Sequence, residues 1–142
     1  HRFAQLARRL RRADAALEVA VDAAAAAVSG GSWAERGPIV FDAEQFVRLP
    51  AEVALRLLGR AIALSGDEGP VQLGKLEALH QALEDAGPAA SRFRRTLAGA
   101  LMTLSGGRLT VERAPPRSRQ SRLGRKTLTT RQQGAAGRLG RR

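Results

Sequence analysis

Apolar residues recur at spacings of three and four from the first residues onward: Phe3, Leu6, Leu10, Ala13, Leu17, Val21, Ala24 and Val28. That spacing predicts one face of a helix over 2–28, about 40 Å long at about 1.5 Å per residue. The alanine run 23–27 favours helix intrinsically. Ser29-Gly30-Gly31-Ser32 is expected to stop it, because glycine adopts the left-handed cap conformation at little cost. After Gly37-Pro38 comes a short β-prone run, Ile39-Val40-Phe41. Asp42 followed by Gln45 has the spacing of a capping box, and Phe41 with Phe46 that of a hydrophobic staple, so a short helix is expected over 43–48.

Pro50 suits the first turn of the next helix. Its expected buried face is Val53, Leu57, Leu58, Ala61 and Leu64, with Glu52, Arg56 and Arg60 opposite and Gly66 at its end. A further helix is expected from about Leu73 to Asp85, burying Leu73, Leu76, Leu79 and Leu83, and Gly87-Pro88 stops it. The runs 97–104 and 109–111 flank Ser105-Gly106-Gly107, a hairpin signal. Arg92, Arg94 and Arg95 are expected on a loop leading into that hairpin. Pro115-Pro116 marks the end of the folded body. Beyond it, too few large apolar groups remain to offset the ordering entropy, so disorder is expected. The fold class is therefore mainly α, with a terminal β-hairpin and a basic tail.

Composition adds limits. Aromatic residues make up only 4% of the 142, and alanine and leucine dominate the apolar set, which suits helix packing. The absence of cysteine excludes disulfides and thiolate metal sites. No apolar run approaches the roughly 20 residues needed to span a bilayer, and no secretory signal follows His1, so a cytoplasmic protein without membrane contact is expected. The chain opens inside a helical pattern without an initiator Met, which is expected of a fragment. The net charge of +11 is unevenly placed. Residues 1–113 hold 15 Lys/Arg against 13 Asp/Glu, whereas residues 114–142 hold nine Lys/Arg and no acid. The body is nearly neutral, and the basicity belongs mainly to the tail.

Catalytic constellations are missing. His1 is terminal, and His80 lies beside Leu76, Leu79 and Leu83, where a packing role is expected. Glu84 and Asp85 are adjacent on a helix and do not face each other. Ser29-Gly30-Gly31-Ser32 follows a helix instead of opening one, which argues against a phosphate loop. The chemistry that remains is cationic. Arg8, Arg9, Arg11 and Arg12 read as a solvated helix face, whereas Arg92, Arg94 and Arg95 can hold phosphates. Arg56, Arg60 and Lys75 come second, projecting from polar faces of adjacent helices. The tail lacks aromatics for base stacking, so it is expected to bind polyanions with little selectivity and steep salt dependence.

The order of segments resembles the tRNA(Ile)-lysidine synthetases. The stretch from Leu6 to Glu18 is similar to the long helix that leaves the family's catalytic domain. Leu49 to Ala61 is similar to the first helix of the following substrate-binding domain, and Gly69-Pro70 to Leu79 to its next helix. Arg94-Arg95-Thr96-Leu97-Ala98-Gly99-Ala100 resembles the family's Arg-Thr-Leu-Gly-Gly element, with Ala98 where glycine is usual, and Leu109 to Arg113 fits the last strand. The resemblance implies a linker helix over 1–31, a tRNA/substrate-binding domain over 32–113 and a tail over 114–142 that matches nothing in the family. It implies a ligase that forms lysidine at the wobble cytidine of a minor isoleucine tRNA, with ATP (with magnesium) and lysine as substrates. The family's Ser-Gly-Gly-x-Asp-Ser ATP loop is absent here, so this segment by itself is expected to be inactive and to hold no cofactor or metal. Its partners would be that tRNA and its own N-terminal catalytic domain. Two rival readings stand beside it: a basic, non-specific nucleic-acid-binding protein acting through its tail, and a structural module that packs the seam of the first helix on a partner.

Overall fold

The computed structural model describes residues 1–30, 33 and 37–117. The expected disorder of the tail beyond residue 117, and the Gly31-Ser32 part of the helix stop, lie outside the described residues. The first helix, α1, spans Arg2–Ser29 and ends at Gly30 in the left-handed conformation (φ 69°). Its apolar face has two fates. Val21, Ala24 and Val28 are buried, but Phe3, Leu6 and Leu10 are 86, 53 and 60% exposed. The seam is continuous in sequence, whereas the described body covers only its C-terminal part.

Strand β1 (Ile39–Asp42) runs directly into helix α2 (Ala43–Val47). The Asp42 carboxylate accepts a hydrogen bond from the Gln45 backbone N–H at 2.9 Å, which caps the helix as its sequence predicts. Phe41 and Phe46 stack with centroids 5.7 Å apart, the staple across that cap. Helix α3 (Ala51–Ser65) follows Pro50, and α4 (Leu73–Ala86) follows Gln72. Two residues expected in their buried faces, Leu64 and Leu73, are 68 and 63% exposed, while Ala54 and Ile62 are fully buried instead. Both expected positions lie at helix ends. Leu64 shares the helical azimuth of the buried Val53 and Leu57, so its exposure comes from its place at the end of α3.

The terminal hairpin is part of a larger sheet. β2 (Arg94–Leu97), β3 (Ala100–Ser105) and β4 (Arg108–Arg113) form an antiparallel meander. β1 joins it against β4, giving the order β1-β4-β3-β2. Gly106 and Gly107 form the expected two-residue turn, both at positive φ (58° and 75°), a conformation matched to the strand twist. Arg94 and Arg95 therefore lie on an edge strand, where a loop was expected. The local signal is weak because β2 is only four residues long and acquires its partner from β3.

Ile39, Phe41, Met102, Leu104, Leu109 and Val111 share the buried sheet face, following the two-residue period of the strands. Val53, Ala54, Leu57, Leu58, Ala61 and Ile62 of α3 complete one core with them, and α1, α2 and α4 contribute Val28, Phe46 and Leu83. His80 is 8% exposed, edge-on to Phe46 at 6.5 Å, which is the packing role its neighbours predict. The fold is mainly α with an antiparallel sheet on one side.

Candidate nucleic-acid interface

A cation can serve as a phosphate contact only if the fold leaves it unneutralised. Two of the second-rank arginines have intramolecular partners. Asp14, Glu18 and Asp22 recur every four residues on α1, and Arg56 and Arg60 do the same on α3. Arg56 reaches Asp14 at 2.6 Å and Glu18 at 2.9 Å through Nη1, and Glu52 at 3.0 Å through Nε. Arg60 reaches Asp22 at 2.6 Å through Nη1 and also donates to Glu18 through Nη2. The partners climb together along both helices, so α1 and α3 run in the same direction. Hydrogen bonds from Arg60 and then Arg56 hold the Glu18 carboxyl below the usual glutamate range. The same bonds raise both guanidinium pKa values further, led by Asp14 for Arg56 and by Asp22 for Arg60. The structure thus gives Arg56 and Arg60 a clamp between helices. The matched four-residue spacing of acids and arginines was the sequence signal for it.

The other candidates differ. Arg92, Arg94 and Arg95 are exposed and make no ion pair with another described residue, and the same holds for Lys75 in the first turn of α4. Because Arg94 and Arg95 are consecutive on a strand, their side chains leave opposite faces of the sheet edge. Arg95 lies over the Phe93 ring, 5.5 Å from its centroid. A cation at that distance is attracted by the face of the ring and still has N–H groups to offer an anion. Arg94 pairs with Thr103 across the ladder, and the Leu104 N–H donates to Phe93 O at 3.1 Å, which extends the pairing one residue before β2. The sheet therefore fixes the backbone that carries both arginines.

The β2–β3 turn is itself anchored. Leu97 and Ala100 close a two-residue loop in which Ala98 and Gly99 both take positive φ (51° and 81°). Ala98 O accepts from the Glu68 N–H at 3.3 Å, and Gly99 O from the Ala114 N–H at 2.8 Å. Arg113 binds Asp67 at 2.8 Å beside it. Among the described residues, no group of His, Asp and Glu has the placement to hold a metal, and no helix is long and apolar enough to cross a membrane. The arrangement offers cations on a hydrogen-bonded sheet edge.

No family model matches the chain, and no solved structure does. Curated proteins do match. A protein named tRNA(Ile)-lysidine synthase from a Bradyrhizobium species is 44% identical, over 83% of this chain and 37% of its own length. Those of Bradyrhizobium diazoefficiens and Rhodopseudomonas palustris are 43 and 44% identical, over 86 and 80% of this chain and 38 and 34% of theirs. The chain belongs to the tRNA(Ile)-lysidine synthase family. It spans little more than a third of the length of these synthases.

Proposed function

We propose that this chain is the C-terminal, tRNA-docking part of a cytoplasmic enzyme that forms lysidine at the wobble cytidine of a minor isoleucine tRNA. ATP, with magnesium, and lysine would be handled by an N-terminal catalytic domain in the complete protein. Residues 1–31 would link to that domain, with the last turns of α1 seated in the core of the 32–113 domain, and 114–142 would form an appended basic tail. The observation that carries the reading is the contrast among arginines. Arg56 and Arg60 are neutralised by α1, whereas Arg92, just before β2, and Arg94 and Arg95, on it, have no acidic partner among the described residues. Arginines so placed position a nucleic-acid backbone and do not read bases. Lys75 is a secondary contact. Arg56 and Arg60 enter the proposal as the posts that hold α3 to α1.

Charge reversal tests it: Arg94→Glu with Arg95→Glu in the complete enzyme. The expected result is at least tenfold weaker tRNA binding and a shallower salt dependence, each lost phosphate contact lowering the slope by about 0.7–0.9. Unchanged affinity would refute the assignment. The second reading, non-specific binding through the tail, is favoured by nine Lys/Arg without an acid in 114–142. Under it, deleting 114–142 abolishes binding, and duplex DNA competes as well as tRNA.

A further inference from the structure

The N-terminal half of α1 carries charge that the body does not use. Asp14, Glu18 and Asp22 are turned toward α3, where Arg56 and Arg60 take them up. Arg8, Arg9, Arg11 and Arg12 are exposed, make no ion pair with a described residue, and line one open groove with Gln5 and Ala15. At about 100° per residue, positions 8, 11, 12 and 15 lie across the helix from the apolar positions 3, 6 and 10. Anything that covers Phe3, Leu6 and Leu10 therefore leaves Arg8, Arg11 and Arg12 facing outward, with Arg9 at the border of the two faces. Four unpaired guanidinium groups within little more than one helical turn repel one another, so a polyanion is the occupant that relieves them. Among the described residues, no aromatic side chain lines that groove, so base stacking is not on offer.

We infer that this arginine face of α1 is a second RNA-backbone surface, separate from the β2 edge, on which the phosphates of the bound tRNA lie. The inference rests on the tRNA-docking reading and adds α1 to it. It makes the first helix a two-sided element, with an apolar face for protein and a cationic face for RNA. Contacts there are insensitive to base sequence and strengthen docking without contributing to choice of tRNA.

The test uses the full 142-residue chain, so that the tail contributes equally to every variant. The probe is a minor isoleucine tRNA transcript, and the reading is the slope of log K against log salt. The variant R8Q/R9Q/R11Q/R12Q removes the charge while glutamine keeps helix propensity close to that of arginine. The expected slope is shallower by about 2–3, consistent with about three lost phosphate contacts. R8K/R9K/R11K/R12K keeps the slope, and R8Q/R12Q loses part of it; the milder pair serves if the quadruple variant loses helicity by circular dichroism. An unchanged slope in folded R8Q/R9Q/R11Q/R12Q and R8Q/R12Q chains overturns the inference. R94E/R95E is measured alongside. A loss with R94E/R95E alone leaves the docking reading standing and removes α1 from it. A loss with the α1 variants alone keeps α1 and removes the β2 assignment, and no loss with either removes both. Absence of measurable binding by the unaltered chain at low salt overturns the inference as well.

Discussion

Gly66→Ala and Gly74→Ala are the same chemical change, and the structure predicts opposite signs for them. Gly66 follows α3 with φ −83° and ψ 173°, dihedrals open to any residue, so the backbone conformation itself raises no objection to alanine. The objection is contact. A Cβ on Gly66 would sit 2.2 Å from Ala98 O and 3.0 Å from Ile62 O. Both neighbours are backbone atoms, so no side chain can swing aside. A comfortable carbon–oxygen separation is about 3.3 Å or more, so the β2–β3 turn must retreat by roughly 1 Å from the end of α3. Such overpacking costs about 1–3 kcal/mol. The displaced turn also strains the bonds from Glu68 N to Ala98 O and from Ala114 N to Gly99 O, together about 1–2 kcal/mol. A total of about 3 kcal/mol corresponds to a melting temperature lower by roughly 10 °C or more in a body of this size. Gly74, in the first turn of α4, would meet nothing within 4 Å, and alanine there should stabilise by about 0.5 kcal/mol through the unfolded state. Equilibrium urea unfolding of the 142-residue chain, followed by circular dichroism, measures both. A Gly66→Ala midpoint equal to or above that of the unaltered chain would refute the packing argument. The displaced turn follows directly on β2, so the variant should also weaken tRNA binding without touching an arginine.

Further outcomes follow from single contacts. Glu18→Gln removes a carboxylate whose pKa is depressed in the fold by Arg60 and Arg56. A depressed pKa gives stability present above the unfolded glutamate value, about 4.3, and lost as pH falls through the lower folded value. The variant should therefore melt lower than the unaltered chain at pH 7 and converge with it in acid or high salt; an equal difference at every pH would count against the clamp. Asp42→Ala leaves the Gln45 N–H without its capping oxygen and should cost about 1 kcal/mol in urea unfolding, whereas Asp42→Asn should cost little. Ala98→Gly relieves a residue held at φ 51°. The relief of about 1 kcal/mol or more outweighs the added unfolded-state entropy, so a small rise in melting temperature is expected, and a fall would show that the turn is not strained.

Whatever depended on neighbours close in the chain was readable in the sequence. The four helices, the Asp42 cap with its Phe41–Phe46 staple, and the Gly106-Gly107 turn each follow from residues within a few positions of one another. Their signals are local dihedral preference and periodic burial, which need no knowledge of the rest of the fold. The family, too, was legible in the order of those segments. Tertiary structure decided what depends on partners far along the chain. Ile39 finds Val111, and Arg95 finds Met102, so a β-prone run and a supposed loop become the edges of one sheet. Leu64 and Leu73 fit the helical periods of α3 and α4, yet they are exposed because those helix ends receive no covering element among the described residues. The candidate site was divided in the same way. Sequence supplied six cations of similar aspect, Arg56, Arg60, Lys75, Arg92, Arg94 and Arg95. Only the packing of α1 along α3 determined that the first two face carboxylates, while the others meet none among the described residues. A charge's use is set by what lies within a few ångströms of it, and for these residues that neighbour comes from about forty positions away in the chain.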